Sequence, residues 1–415
     1  CVHCEREEKE RETVISFLSS VLIPGRENVT DPVVRQKYGV LCGAVGICLN
    51  LLLFAGKFFA GTVANSIAIT ADAINNLSDV GSSLITLIGF KLAGQTPDLN
   101  HPFGHGRIEY VSGLIVSFLI ILMGVGLLKS SVEKILHPEA VDGSPLVIAI
   151  LVVSICVKVY MYLYNRSIGK KIDSAAMKAT ALDSLSDTVA TLAVLGTTLI
   201  AQCTSVMIDG WCGILVAFFI LYSGVSAAKD TISPLLGQRP EEAFVGQIEQ
   251  IVMAHPEVQG MHDLIVHNYG PGRVMISLHA EVPAHGDILM LHDAIDNIEC
   301  ELKERLKCDA VIHMDPIVTD DPAVNALKEK VVAQVQAIDP ALSIHDFRVV
   351  AGPTHTNVIF DLELPYHFYL KEETVVQQLK DFISELEGHR YFAVIQVDHS
   401  YVGGAHKAPE KQEST

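Results

Sequence analysis

Six apolar stretches, each close to the length that crosses a bilayer, constrain this chain more than any other feature. Approximately, they occupy residues 38–60, 65–92, 108–130, 145–167, 175–201 and 209–230. About 20 apolar residues cross a bilayer as a helix, because a helix satisfies its own backbone hydrogen bonds. The chain is 49% hydrophobic and only 19% charged. These six stretches therefore predict a membrane domain of six transmembrane helices over residues 35–235, embedded in a lipid bilayer.

Basic residues predict the orientation of these spans. Arg35 precedes the first span, Arg107 follows the second, and Lys170 and Lys171 follow the fourth. Since Lys and Arg accumulate on the cytoplasmic side, both termini are expected in the cytoplasm, and the plasma (inner) membrane is the expected location. Residues 1–34 are highly charged, which predicts a cytoplasmic segment without a cleavable signal peptide. Its Cys-x-x-Cys pair with His3 is either half a metal site or without function.

The composition changes abruptly near residue 240, and the rest of the chain predicts an α+β fold. Residues 241–254 and 291–306 have helical periodicity, whereas 274–281 and 310–313 have the pattern of strands. The order helix–strand–strand–helix–strand is that of a ferredoxin-like domain. We therefore expect a ferredoxin-like cytoplasmic domain over residues 240–318.

The pattern then recurs, which predicts a second ferredoxin-like domain over residues 319–402, duplicated in tandem. His262-Asp263-Leu264 returns as His345-Asp346-Phe347, an offset of 345 − 262 = 83. Residues 311–315 return at 394–398 with the same offset. Residues 403–415 are polar and are expected to form a disordered tail.

Paired oxygen ligands inside two of the apolar stretches predict a metal site. Asp183 and Asp187 lie four residues apart in the fifth stretch, and Asn75 and Asp79 repeat that spacing in the second. Residues at i and i+4 share one face of a helix. A carboxylate at membrane depth costs about 2.5–3.5 kcal/mol, so its presence requires a function. Two such helices face to face would surround a divalent cation with four oxygen ligands.

The type of ligand indicates which ions such a site would take. Oxygen ligands favour Mn²⁺, Mg²⁺ or Ca²⁺, whereas Zn²⁺ and Co²⁺ sites usually include His or Cys. Carboxylates also bind protons, so metal and protons would compete for one site, as metal–proton exchange requires. The alternative is that these polar groups only hydrogen-bond the helices together. Asp72, one turn before Asn75, would hydrogen-bond a ligand, carry protons, or merely join helices.

Two further groups of residues are candidate metal ligands. Asp98, His101 and His105 lie together in the loop after the second span, where a turn and helix cap is an equally good interpretation. The second group falls at strand ends and on one helix of the first ferredoxin-like domain: His262, His279, His292, His313 and Asp315. In the second copy Asp361 and Gln396 replace His279 and His313. That copy has therefore lost its site or changed it.

In combination, these motifs resemble the cation diffusion facilitator family. Six spans, His-Pro-Phe-Gly-His-Gly-Arg-Ile-Glu after the second, and Gly-Met-His-Asp and Ile-His-Met-Asp-Pro in the α+β domain carry the resemblance over about residues 35–318. It implies a homodimeric exporter that exchanges divalent metal for protons. The resemblance also implies three metal sites. The transport site is Asn75, Asp79, Asp183 and Asp187, and the loop site is Asp98, His101 and His105. The cytoplasmic site is His262, His279, His313 and Asp315, with His292 from the partner chain. The Asn and Asp ligands resemble the manganese branch, since the zinc branch has His at the positions of Asn75 and Asp183.

The expected function is therefore proton-coupled export of Mn²⁺ from the cytoplasm, with no prosthetic group. Export of Zn²⁺, Fe²⁺ or Co²⁺ is the alternative within the family. A membrane metal sensor without transport is a second alternative. An intramembrane enzyme with a D-x-x-x-D motif is disfavoured, because its second motif, Asp-Gly-x-x-Ala-Arg, does not occur. The formal net charge of −18, without a basic stripe, argues against nucleic acid as a partner.

Overall fold

A computed structural model describes residues 14–29, 31–63, 67–137, 144–204, 208–352, 354–366, 368–386 and 390–399. The Cys1, His3 and Cys4 half-site, the tail from residue 403 and the side chain of Asp72 lie outside the described residues. The described chain forms two units. The helical unit comprises the residues up to Gln238 together with Asn268–Arg273, and the α+β unit comprises Arg239–His267 and the residues from Val274.

In its described residues, the helical unit contains seven helices. They are α1 (Val14–Leu22), α2 (Pro32–Val63), α3 (Ile67–Ala93), α4 (Ile108–Leu136), α5 (Pro145–Lys171), α6 (Ala175–Thr204) and α7 (Asp209–Leu236). By length and composition, α2, α4, α5 and α7 are apolar enough to cross a membrane. The expected helical membrane domain is thus present. The more polar α3 and α6 do not meet that measure, so six spans remain a prediction.

Small residues allow the helices of this unit to pack closely. Gly39 on α2 lies against the ring of Phe90 on α3, where an added Cβ would stand 2.1 Å from Phe90 Cγ. Gly113 on α4 meets the backbone of Ala176 at the start of α6, 2.9 Å from the position of a Cβ. Close backbone approach of this kind is how helices associate in a membrane, where lipid removes the usual hydrophobic driving force.

A buried ion pair joins three elements at the ends of these helices. Arg35 near the start of α2 donates from Nη2 to Glu109 Oε1 at 2.8 Å and from Nε to Oε2 at 3.2 Å. The same guanidinium donates to the carbonyl oxygen of Asp173, in the turn between α5 and α6, at 2.9 Å. Glu109 is only 2% exposed, so the planar fork of Arg35 supplies the paired hydrogen bonds that a buried carboxylate needs.

The α+β unit contains two copies of one element order. The first is α8 (Glu242–Val252), β1 (Gly260–Asn268), β2 (Val274–Pro283), α9 (Ile288–Leu306) and β3 (Cys308–Ile317). The second is α10 (Pro322–Ile338), β4 (Ser343–Ala351), β5 (Thr356–Glu363), α11 (Glu372–Ser384) and β6 (Tyr391–Asp398). Each forms a three-stranded sheet, in the orders β1-β2-β3 and β4-β5-β6. The third strand of each sheet runs parallel to the central one, as the order predicted for the ferredoxin-like domain requires.

Each sheet buries one face against its own helices. Along β5, Val358, Phe360 and Leu362 alternate with less buried residues and pack against Val375 and Leu379 of α11. The first copy has an equivalent core of its own, formed by β2 and α9. Since side chains alternate across a strand and recur every three to four residues on a helix, the two periodicities produce this packing directly. The other face and the strand ends are left to carry polar groups.

Candidate metal centres

Two of the predicted carboxylates meet at a buried lysine. Asp79 on α3 and Asp187 on α6 each accept a hydrogen bond of 2.6 Å from Nζ of Lys158 on α5. Lys158 is 3% exposed. An ammonium group held so deeply requires compensating charge, and the two carboxylates supply it. Lys158 was not among the predicted site residues, although a single lysine within an apolar stretch is itself a signal that an acidic partner lies nearby.

The third carboxylate, Asp183, joins α3 to α6. Its Oδ2 lies 2.7 Å from the hydroxyl of Ser82 on α3, which serves as donor, and Asp183 is 8% exposed. Nearby, the hydroxyls of Thr86 and Thr180 lie 2.8 Å apart and form a second polar contact between the same helices. We call Asp79, Asp183, Asp187 and Lys158 the carboxylate cluster. At full ionisation three carboxylates and one ammonium carry a net charge of −2.

The structure distinguishes the two asparagines before Asp79. Asn76 is 3% exposed, and its Nδ2 lies 3.4 Å from Asp79 Oδ2, whereas Asn75 is exposed. A step of one residue turns a helix by about 100°, so only one of the two amides faces the cluster. In this arrangement that amide belongs to Asn76, which was not among the predicted ligands. The sequence-based prediction of Asn75 as a ligand thus has Asn76 as a competitor on the same helix.

Paired substitutions identify the asparagine that acts. We expect Asn76→Ala to weaken metal binding at the carboxylate cluster about tenfold, because it removes the polar group next to Asp79, and Asn75→Ala to change it less than twofold. Isothermal titration of the purified protein measures both. The reverse order would instead place Asn75 in the site, in a conformation with α3 rotated.

The predicted loop residues also come together. His101 Nδ1 lies 3.4 Å from Asp98 Oδ1, and His105 Nε2 lies 3.5 Å from Asp98 Oδ2. Each of the three offers a ligand atom within 4.8 Å of the others. The backbone N–H groups of His101 and Asn100 donate hydrogen bonds to Asp98 Oδ1. Both bonds lower the pKa of that carboxyl, and the bond from His101 has the larger effect. One oxygen of Asp98 thus stabilises the turn, and the other faces His105. The loop therefore has the features of a turn and also those of a metal-ligand group.

The cytoplasmic candidates converge on Asp315. His279 Nδ1 lies 2.8 Å and His262 Nε2 3.3 Å from Asp315 Oδ2, while His313 Nε2 lies 3.3 Å from Asp315 Oδ1. The parallel register of β2 and β3 places His279 opposite His313. His292 lies on α9, where it is exposed and pairs with Asp296 at 3.6 Å. Within one chain His292 is thus outside the group, and its contribution from a partner chain remains a prediction.

Asp263 raises the pKa of the most buried imidazole in this group. Burial opposes protonation of His262, but the hydrogen bond and charge of Asp263 outweigh it, so the pKa of His262 is raised. The same pairing lowers the pKa of Asp263. Metal binds only the neutral imidazole. Because the pKa of His262 is raised, protons compete with metal for this imidazole up to a higher pH than at a free histidine. Metal affinity at this group therefore falls as the solution becomes more acidic.

The fold and these groups together define a class, namely a helical membrane protein with a buried carboxylate cluster and an α+β domain rich in potential metal ligands. Residues 44–236 match the cation efflux transmembrane domain, and residues 240–317 match the cation efflux protein cytoplasmic domain. An uncharacterized transporter of Methanocaldococcus jannaschii is 32% identical over 271 residues, which are 64% of this chain and 94% of that protein. The cation-efflux pump FieF of Salmonella newport, and that of Salmonella typhimurium, are each 26% identical over 286 residues, covering 68% of this chain and 95% of theirs.

The chain belongs to the cation diffusion facilitator family. It is a transporter, and the prediction that it is not an enzyme is confirmed. Members of this family transport divalent metal cations, and among the described residues the loop group and the group around Asp315 have the spacing to hold one.

Proposed function

We propose that this protein exports Mn²⁺ from the cytoplasm in exchange for protons, with the carboxylate cluster as the transport site. One observation carries the proposal: carboxylates from α3 and α6 share one buried site, and Lys158 already occupies it as a cation. The acidic side chains provide oxygen ligands without imidazole or thiolate, which favours Mn²⁺ over Zn²⁺. Export of Zn²⁺, Fe²⁺ or Co²⁺ is the alternative.

Lys158 gives the site a built-in competitor for metal. A divalent cation that enters the cluster displaces the ammonium group from Asp79 and Asp187, and the ammonium group returns when the metal leaves. The two carboxylates are thus never left without a counter-charge, which in a buried site would be costly. Protons from the opposite side of the membrane compete for the same oxygens and drive release.

The proposed architecture supports this cycle. We propose that α3 and α6 cross the membrane with the four apolar helices, since their 27 and 30 residues give lengths of about 40 and 45 Å. α3 packs mainly against α2 and also against α4, and α6 packs mainly against α5 and also against α7 and α4, so the two polar helices have apolar neighbours. The basic residues beside the spans favour cytoplasmic termini and a plasma-membrane location. A homodimer, with His292 completing the partner's cytoplasmic site, follows from the family resemblance.

Metal flux into proteoliposomes tests the proposal. With an imposed pH gradient, we expect uptake of Mn²⁺ that ends when an ionophore dissipates the gradient, and slower uptake of Zn²⁺ and Fe²⁺. Equal uptake with and without the gradient would contradict proton exchange. Uptake of Zn²⁺ in preference to Mn²⁺ would retain the transport site and overturn the selectivity. Tight metal binding without any flux would instead support the sensor.

A further inference from the structure

The second copy in the α+β unit holds a cluster of potential ligands that none of the three groups above includes. His345 on β4 faces Asp361 across the antiparallel register of β4 and β5. Its Nδ1 lies 4.0 Å from Asp361 Oδ2, and its Nε2 lies 3.8 Å from Asp398 Oδ2 on β6. Each of the three residues offers a ligand atom within 4.8 Å of the others.

Two atoms of these half-buried side chains are themselves buried and have no partner. The exposed fractions of the His345, Asp361 and Asp398 side chains are 15%, 16% and 28%. His345 Nδ1 and Asp398 Oδ2 are buried and have no hydrogen-bond partner among the described residues. Buried polar atoms in native proteins nearly always have a partner, so an exception calls for an explanation such as an ion.

The spacing of the three groups suits a metal ion. Two ligands at about 2.1 Å from one ion lie about 3.4 Å apart at a tetrahedral angle and about 3.0 Å apart at the right angle of octahedral coordination, which Mn²⁺ prefers. The distances of 3.8 and 4.0 Å are too long for hydrogen bonds, and shifts of about half to one ångström convert them to these geometries. We propose that His345, Asp361 and Asp398 form a second divalent-metal site in the α+β unit. This site does not depend on the proposed transport activity.

The ligand set indicates a harder ion than the first copy takes. The first copy gathers three imidazoles around Asp315, whereas the second has one imidazole and two carboxylates. More oxygen and less nitrogen shifts preference toward Mn²⁺ and away from Zn²⁺. The replacement of His279 by Asp361 thus changes the site without abolishing it.

The two copies contact each other beside their metal groups. The rings of His262 and His345 stack with centroids 4.3 Å apart. The ring nitrogens of His262, whose side chain is 6% exposed, lie close to two carboxylates, with Nδ1 3.4 Å from Asp263 Oδ2 and Nε2 3.3 Å from Asp315 Oδ2. The N–H of Asp346 donates to Glu281 Oε1 of the other copy at 3.1 Å. The two sites are therefore neighbours, and metal in both would hold the copies together, because a ligand stabilises the arrangement that it binds best.

Corresponding residues of the two copies share an unusual backbone conformation next to this contact. Asp263 and Asp346 have φ of 52° and 51°, the left-handed region that non-glycine residues seldom adopt. Their positions differ by 346 − 263 = 83, the offset of the sequence repeat. This agreement supports descent of both sites from one duplicated domain.

The number of bound ions tests the second site. Full-length protein in detergent is stripped of metal, incubated with Mn²⁺, desalted and assayed for manganese per chain. The Asp361→Asn/Asp398→Asn variant should hold one ion fewer than wild type. The control, Glu373→Gln, removes an exposed carboxylate from α11 of the same copy and should leave the number unchanged. An unchanged number in the double variant overturns the proposal.

A second variant provides a readout at the site itself, which also guards against a variant that fails to fold. Asp361→Cys replaces a carboxylate with a thiolate, and thiolate bound to Co²⁺ produces a charge-transfer absorption that carboxylate and imidazole do not. Relative to wild type, we expect this absorption in Asp361→Cys with Co²⁺ and its loss in Asp361→Cys/His345→Ala. Absence of the band in the folded single variant, or its persistence in the double variant, contradicts the site.

Discussion

Replacing Asp183 with Asn should abolish metal transport while leaving the fold intact. Asn has the same shape and still accepts a hydrogen bond from Ser82, so the contact between α3 and α6 is retained. The change lowers the full negative charge of the cluster from −2 to −1 and removes a charged ligand. We expect Mn²⁺ flux in proteoliposomes to fall at least 1,000-fold, equivalent to about 4 kcal/mol at 1.4 kcal/mol per tenfold change.

The matched control is Asp230→Asn, the same chemical change at an exposed position on α7. Its flux should remain within twofold of wild type. Thermal unfolding in detergent separates loss of transport from loss of folding, and Asp183→Asn should unfold within a few degrees of wild type. If Asp183→Asn retains more than a tenth of the wild-type flux, then Asp183 does not bind the transported ion.

Replacing Lys158 with Met should tighten metal binding and weaken the metal-free protein. Without the ammonium group, Asp79 and Asp187 lose the counter-charge that both contact in a buried site, and loss of one partner of a buried ion pair costs about 3–5 kcal/mol. An arriving cation no longer has to displace Lys158, so we expect the Kd for Mn²⁺ to fall at least tenfold. Saturating Mn²⁺ should raise the unfolding temperature far more in Lys158→Met than in wild type.

The rate of transport should decrease in Lys158→Met, even though the variant binds metal more tightly. A site that binds metal more tightly releases it more slowly, so Mn²⁺ flux at saturation should fall about tenfold in Lys158→Met. Lys129→Met, which removes an exposed lysine of α4, is the control and should alter neither binding nor flux. If Lys158→Met weakened Mn²⁺ binding, Lys158 would be a positioning group for the carboxylates and not a competitor.

Sequence reasoning found the acidic members of the carboxylate cluster because their evidence is local. Two carboxylates at i and i+4 in an apolar stretch define one face of a helix without any knowledge of the fold. Lys158 belongs to the same site but lies on another helix, and nothing in the sequence says which helices are neighbours. The choice between Asn75 and Asn76 depends on the rotation of α3, which packing against α2 sets. Local patterns thus identify candidate ligands more readily than the residues of other helices that contact those ligands.

In the α+β unit, too, local patterns predicted candidate ligands but not the contacts between distant segments. Strand spacing and the offset of 83 residues led to the prediction of one element order in two halves of this unit. His279 and Asp315 as ligands of one metal site also came from the sequence and stay a prediction. The contact between His262 and His345 depends on how the two copies meet, which no local pattern encodes. The second copy was interpreted as having lost or changed its site, because Asp361 and Gln396 replace two histidines. Asp398, which corresponds to Asp315, was the available signal that ligands remain there.

Anomalous diffraction from crystals soaked in Mn²⁺ locates manganese without assuming a site and so tests the transport site itself. We expect a peak within about 2.3 Å of carboxylate oxygens of Asp79, Asp183 and Asp187, with the Lys158 ammonium moved away from them. Peaks confined to the histidine-containing groups, with Lys158 still bound to Asp79 and Asp187, would contradict it.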